Sequence, residues 1–177
     1  MHPGINGPKF KDKPAIIMMG SGDVITHAQL NDISNQIAQL FRSLDIKAGD
    51  SMAFMMENHK LFFPIAAAAY RCGLRYTAIS WRLQPEEVEY IVKDCGAKVF
   101  ITSKFLEESA NSLSKMLSGV HKYMVEGQTD EFLSLEDAIA DMPITPIEDE
   151  CQGASMLYSS GTTGKPKGVS REINFNP

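Results

Sequence analysis

The chain is poor in the features that mark several common protein classes. It holds three cysteines in 177 residues, Cys72, Cys95 and Cys151, far apart and without CxxC or Cys/His spacing. That pattern gives neither a disulfide framework nor a zinc site, and a reducing, cytoplasmic compartment is expected. The longest unbroken apolar stretch, Leu61 to Tyr70, is ten residues long with Pro64 inside it, too short to span a bilayer. No apolar h-region follows Met1-His2-Pro3-Gly4, so a secretory signal is not expected. Positive charge is not in excess: 17 Lys and Arg against 22 Asp and Glu leave a net charge of −5. A nucleic-acid partner is therefore not expected, nor is a basic membrane-surface protein. Heptads and solenoid repeats are absent.

What is present is an ordinary globular composition, 44% hydrophobic and 22% charged, at a length for about one domain. Residues 1–13 are rich in Pro, Gly and Lys and are expected on the surface. Residues 15–26 read as a hairpin, two apolar runs around Gly20-Ser21-Gly22-Asp23. Thr26 and Gln29 have capping-box spacing and open a helix whose Leu30, Ile33, Ile37, Leu40 and Leu44 share one face.

Strands are then expected at residues 51–56, 76–79, 99–102 and 120–125, with helices between them. Asn58 is placed as the cap of a helix ending at Cys72, with Gly73 at C′. Pro64 either kinks that helix or marks its true start. Pro85 sits at the first position of the next helix, with Glu86 and Glu87 at the positive end of its dipole. Gly96 ends it, and residues 106–117 read as another helix. A repeat of about two dozen residues is the size of a βα unit, so the expected class is α/β, a parallel-rich sheet flanked by helices. Residues 134–142 read as a short helix begun by Ser134 and Asp137. Pro143, Pro146 and the Glu148-Asp149-Glu150 run make 143–152 a solvated linker. The expected division is a βα subdomain over 1–142, that linker, and the start of a second subdomain over 153–177.

The chemistry is concentrated after the linker. A strand-like run, Ala154-Ser155-Met156-Leu157-Tyr158, leads into Ser159-Ser160-Gly161-Thr162-Thr163-Gly164-Lys165-Pro166-Lys167-Gly168. Nine of those ten residues are Gly, Ser, Thr or Lys. Glycines let backbone N–H groups approach a phosphate, hydroxyls add donors, and lysines bring mobile positive charge. Pro166 follows Gly164-Lys165 where a Walker A loop needs Ser or Thr, so the cradle is not of that kind. A flexible Gly/Ser/Thr linker is the plainer reading. The two lysines around a proline, and the return to Val169, argue against it.

Tyr158 to Val169 resembles the phosphate-binding signature of the AMP-forming acyl-CoA synthetases, members of the adenylate-forming superfamily. Asn58-His59, Arg71, Gly73, the run from Tyr76 to Leu83 and the run from Pro85 to Val92 are similar to a bacterial subgroup of fatty-acyl ligases. Ser170-Arg171-Glu172 stands where many members have Ser-His, a basic variant similar to that subgroup. The resemblance implies an acyl adenylate made from a carboxylic acid, such as a fatty acid, and ATP with Mg, then passed to coenzyme A. It implies that Ser159, Ser160, Gly161, Thr162, Thr163 and Gly164 wrap the β/γ-phosphates and that Lys167 pairs with them. Lys165 is auxiliary at most. It also implies that this is a truncated N-terminal part of the adenylate-forming fold, inactive alone and lacking catalytic and metal-binding residues. Such a part is expected to self-associate through an apolar face near 154–173, and peripheral attachment to membranes is compatible with it. The alternatives are a stand-alone nucleotide- or partner-binding module, an aromatic-acid ligase and a carrier-protein-loading adenylation domain.

Other tempting residues have plainer readings. His27 is a helix-surface residue, His59 a capping or packing residue, and His121 lacks a partner histidine for a metal. His2 is expected to lie on a loose terminus. Met18-Met19 and Met55-Met56 are expected to fill core gaps. Trp81 and Arg82 follow a strand end, where parallel sheets place ligand-facing loops, though subdomain packing explains them equally well.

Overall fold

A computed structural model describes residues 3–159, 166–170 and 172–173. Its N-terminal stretch is mostly exposed, as expected, and it forms a helix. A helix, α1 (Pro3–Lys9), packs on the long helix α2 (His27–Ser43). Pro3 opens α1, where a missing N–H is not needed. A Cβ on Gly7 would lie 2.9 Å from Asn31 Cβ of α2, so only glycine allows the approach. Pro3 and Gly7 here serve a helix start and a close helix contact.

The expected hairpin forms as β1 (Pro14–Ile17) and β2 (Val24–Thr26), an antiparallel pair with a sheet of its own. The α2 capping box is present: Thr26 Oγ1 accepts from the Gln29 N–H at 3.2 Å, and Gln29 Oε1 accepts from the Thr26 N–H at 2.9 Å. Ile37 and Leu40 are buried, with Leu30, Ile33 and Leu44 packed against the same core.

The four strands expected at near-equal spacing are β3 (Ser51–Met55), β4 (Arg75–Ile79), β5 (Ala97–Ser103) and β6 (His121–Val125). Helices α3 (Phe62–Arg71), α4 (Pro85–Asp94) and α5 (Glu107–Ser114) connect them, the last after a 3₁₀ turn at Lys104–Leu106. A two-residue strand not foreseen, β7 (Leu133–Ser134), and α6 (Leu135–Ile139) follow. Then come β8 (Ala154–Ser159) and β9 (Lys167–Ser170). The seven-stranded sheet runs β7-β6-β5-β3-β4-β8-β9, parallel except for the final pair.

The sheet separates two apolar layers. Met52 and Phe54 of β3 face α2 and α3, while Ala53 and Met55 face α4 and α5. This period of two buries both faces of β3, as a parallel sheet requires. Among the described residues no helix is long and apolar enough to cross a membrane.

Helix α3 begins at Phe62 rather than after Asn58, with Leu61 at the cap and no side-chain bond there. Pro64 thus lies in the first turn, where its missing N–H costs nothing, and marks a start rather than a kink. The helix ends in a Schellman turn: the Gly73 N–H bonds Tyr70 O, the Leu74 N–H bonds Ala69 O, and Gly73 takes φ 68°.

The stretch between α6 and β8 has no regular element, yet it is strapped to α2. Asn35 Nδ2 donates to Ile144 O at 2.6 Å, and Gln39 Nε2 to Thr145 O at 3.0 Å. The acidic run is not simply solvated. Asp149 pairs with Arg42 at 2.9 Å, and Glu150 reaches the fully buried guanidinium of Arg71 at 3.1 Å. Arg71 also donates to Asn31 Oδ1 at 3.1 Å. Because a buried cation left unpaired is costly, Glu150→Ala should destabilise the chain by about 3 kcal/mol. A urea-unfolding midpoint unchanged by that substitution would contradict this.

Candidate functional site

The segment that carries the phosphate-cradle motif is a β-hairpin. Tyr158 faces Gly168 and Ser159 faces Lys167 across the antiparallel pair β8–β9. Ser160, Gly161, Thr162, Thr163, Gly164 and Lys165 lie outside the described residues. The two described ends of the motif, Ser159 and Lys167, are brought opposite one another and are both exposed. Directly opposed residues project to the same side. Ser159 and Lys167 therefore share a hairpin face with the next same-side pair, Leu157 and Val169, which are 62% and 63% exposed.

The other face rests on α4. Met156 and Tyr158 pack on the apolar layer that contains Val88 and Ile91. Tyr158 Oη donates to Asp94 Oδ2 at 2.6 Å, and Tyr90 Oη donates to Pro166 O at 3.3 Å. Burial first, and then the bond to Asp94, push the Tyr158 phenol well above its ordinary value, so it stays a protonated donor. A Cβ on Gly168 would meet Met156 Cε and come within 3.0 Å of the Tyr158 ring. The glycine is thus required by the ring that crosses it.

A hollow of about 710 Å³ opens elsewhere, beside the C-terminal ends of β3 and β6. Its walls are Ile16, Ile17, Met18 and Phe63, and its polar end is Glu57, His59, Lys60 and Glu126. His59 is buried. Its Nδ1 accepts from the Leu61 N–H at 3.1 Å, which leaves Nε2 to carry the proton 3.2 Å from Glu126 Oε1. Lys60 Nζ reaches the same oxygen at 3.5 Å. The bond to His59, more than the Lys60 charge, holds the Glu126 carboxyl below its ordinary range. Glu57 Oε2 accepts from Ser103 Oγ at 2.5 Å. This bond bridges the ends of β3 and β5, the point where the sheet order reverses and ligands commonly bind.

His59 therefore packs and pairs, as expected. Met55 and Met56 are core residues, but Met18 is half-buried and Met19 is 95% exposed at the hairpin turn. A turn of Gly20, Ser21 and Gly22 has no second layer to bury Met19. Trp81 is 40% exposed, stacks edge-on against Phe105 at 6.1 Å, and has Arg82 5.3 Å over its ring. His27 is half-buried against Phe10 at 6.0 Å, and His2 lies outside the described residues. Burial raises all three thiols, Cys72 to about 12, so none is poised as a nucleophile.

Sequence reasoning missed Tyr90 and Asp94. Their signal was an aspartate at the last position of a helix, where the dipole disfavours it, four residues after a tyrosine on the same face. Glu57, Ser103 and Glu126 were missed because their partners are 46 and 67 positions away.

The antiparallel pair β8–β9 thus brings Ser159 opposite Lys167 on the flank of a parallel sheet covered on both faces. The family profile described as AMP-binding enzyme matches residues 6–174, and the chain belongs to that family. A siderophore peptide synthetase of Mycosarcoma maydis is 32% identical over 146 residues, 81% of this chain and 3% of that protein. A long-chain-fatty-acid–CoA ligase of Mycobacterium tuberculosis is 32% identical over 151 residues, 82% of this chain and 29% of that protein. The crystal structure of an anthranilate CoA ligase in complex with anthranoyl-AMP superposes with TM-score 0.83 at 25% identity, covering 95% of this chain and 33% of that one. The chain spans about a third or less of the length of these relatives. The expected fold, the N-terminal portion of the adenylate-forming architecture, is the one observed.

The depressed Glu126 has a pH consequence. Its pairing adds stability above the ordinary glutamate range, near pH 4.3, and loses it as pH falls through the lower folded value. Unfolding followed between pH 5 and 3 should show a shallower acid loss in Glu126→Gln than in the parent. Identical pH profiles would contradict the pairing.

Proposed function

We propose that the chain is the phosphate-gripping portion of an ATP-dependent acid–thiol ligase, which forms an acyl adenylate and passes the acyl group to coenzyme A. One observation supports this reading: the β8–β9 pair sets Ser159 directly opposite Lys167, bringing the two described ends of the motif together. In this reading Ser159, Ser160, Gly161, Thr162, Thr163 and Gly164 surround the β/γ-phosphates. Lys167, exposed at the loop's end, pairs with them.

The carboxylate of the acid attacks the α-phosphorus, and the bond to the pyrophosphate oxygen breaks. Negative charge grows on the departing phosphates, and fixed N–H donors with one ammonium lower the cost of that growth. Magnesium would arrive with the nucleotide. Among the described residues there is no group of three His, Cys, Asp or Glu to hold a metal, so no step is assigned to a protein-held ion.

The acid is proposed to be a fatty acid, supported by the similarity to the long-chain-fatty-acid–CoA ligase. A second reading, adenylation for loading onto a carrier, has the peptide synthetase in its favour. The division at 143–152, a reducing cytoplasmic location and inactivity of these 177 residues alone belong to the same proposal. So does self-association through the Leu157–Val169 face.

The direct check is calorimetric titration of the chain with ATP. Binding should be weak, about −4 to −5 kcal/mol, near millimolar, and Lys167→Ala should weaken it about 10- to 100-fold, the value of one charged contact. Equal binding by both proteins would overturn the assignment, and robust pyrophosphate release with ATP and fatty acids would overturn the inactivity. Equilibrium sedimentation should show assembly of the chain that Leu157→Lys abolishes. A monomer at all concentrations would remove that part.

A further inference from the structure

The hairpin that bears the motif is held to the sheet by surprisingly little backbone. β8 pairs with β4 only at Arg75↔Ala154 and Tyr76↔Ser155. From Met156 onward its only strand partner is β9, and β9 has no further strand beside it in the described sheet. Two antiparallel strands alone are marginally stable in water. Something else must decide where Ser159 and Lys167 point.

That support comes from α4. Asp94 accepts from the Tyr158 phenol of the first arm, and the Tyr90 phenol donates to Pro166 O just before the second arm. Gly168 leaves the Tyr158 ring free to lie across the second arm. Tyr90 and Asp94 are one helical turn apart, so a single face of α4 meets the first arm and the residue before the second. Asp94 is exposed and ends its helix, a place where a carboxylate opposes the dipole. For the helix alone the residue is a poor choice.

We propose that Asp94 and Tyr158 are positioning residues for the two described ends of the phosphate motif: their bond fixes β8 and β9 on α4 and so fixes where Ser159 and Lys167 present themselves to a triphosphate. The inference rests on the function proposed above for the loop. Tyr158 donates and Asp94 accepts, so Asp94→Asn keeps an acceptor oxygen, whereas Asp94→Ala and Tyr158→Phe remove one partner.

The test uses the whole 177-residue chain with two readouts, amide hydrogen exchange across residues 167–170 and affinity for inorganic tripolyphosphate. Tyr158→Phe and Asp94→Ala should speed exchange of those amides at least tenfold and weaken tripolyphosphate binding about tenfold. Asp94→Asn should stay within threefold of the parent in both. Lys167→Ala should lose affinity without a tenfold change in exchange. Helix energetics alone predict the opposite for Asp94→Ala, since removing an acid from a helix C-terminus favours the helix. If the exchange of residues 167–170 is unchanged in both bond-breaking variants, the positioning role is wrong whatever the ligand does. Exchange that quickens while tripolyphosphate affinity holds equally overturns it. A parent chain that binds no tripolyphosphate overturns the loop's function and with it the positioning for phosphate.

Discussion

The approach of residues 150–154 to residues 70–74 is the constraint on which the site depends. The Cys151 N–H bonds Arg71 O at 3.0 Å, the Gly153 N–H bonds Tyr70 O at 2.6 Å, and the Ala154 N–H bonds Leu74 O at 3.0 Å. A Cβ on Gly153 would fall within 2.9 Å of Leu74 N and 3.0 Å of Ala69 O, so this seam closes only around glycine. The Arg71–Glu150 pair sits at its upstream end. Through this seam the Schellman turn that ends α3 becomes the surface on which β8 starts, and β8 inherits its direction from the core. Without it, the loop-bearing hairpin would have no fixed relation to the sheet.

From that start, order is handed outward in decreasing strength. β3, buried on both faces, is the most constrained strand. β4 copies its register over five residues, and β8 copies β4 over only two. The polar surface needed for recognition therefore stands at the least paired end of the sheet. This is a common division of labour, since loops that bind must stay accessible while a scaffold positions them.

Most of the α/β architecture was legible because its signals are local. Capping at Thr26, proline at the start of α4, glycine after α3 and α4, and strands at even spacing each act over a few residues. The failures share a different cause. The N-terminal surface stretch gave no sign of α1, because the contact that requires Gly7 lies on α2, some twenty residues away. Asn58 looked like a cap, yet the chain spends residues 58–61 making the His59 turn, and α3 starts later. Glu150 looked solvated because its buried partner, Arg71, is 79 positions upstream. The motif at 159–168 was legible by composition alone. Its support by Tyr90 and Asp94 was not, because a side-chain bond spanning 64 positions leaves no periodic trace.

Chemical-shift mapping by NMR of the chain titrated with ATP tests the central claim most directly. The account predicts that the largest backbone amide changes fall at Ser159, Lys167 and Gly168, with smaller ones at Tyr158 and none beyond noise at Glu57 to Lys60. Changes centred on His59, Lys60 and Glu126, with the hairpin silent, would show that the nucleotide prefers the hollow beside β3 and would contradict it.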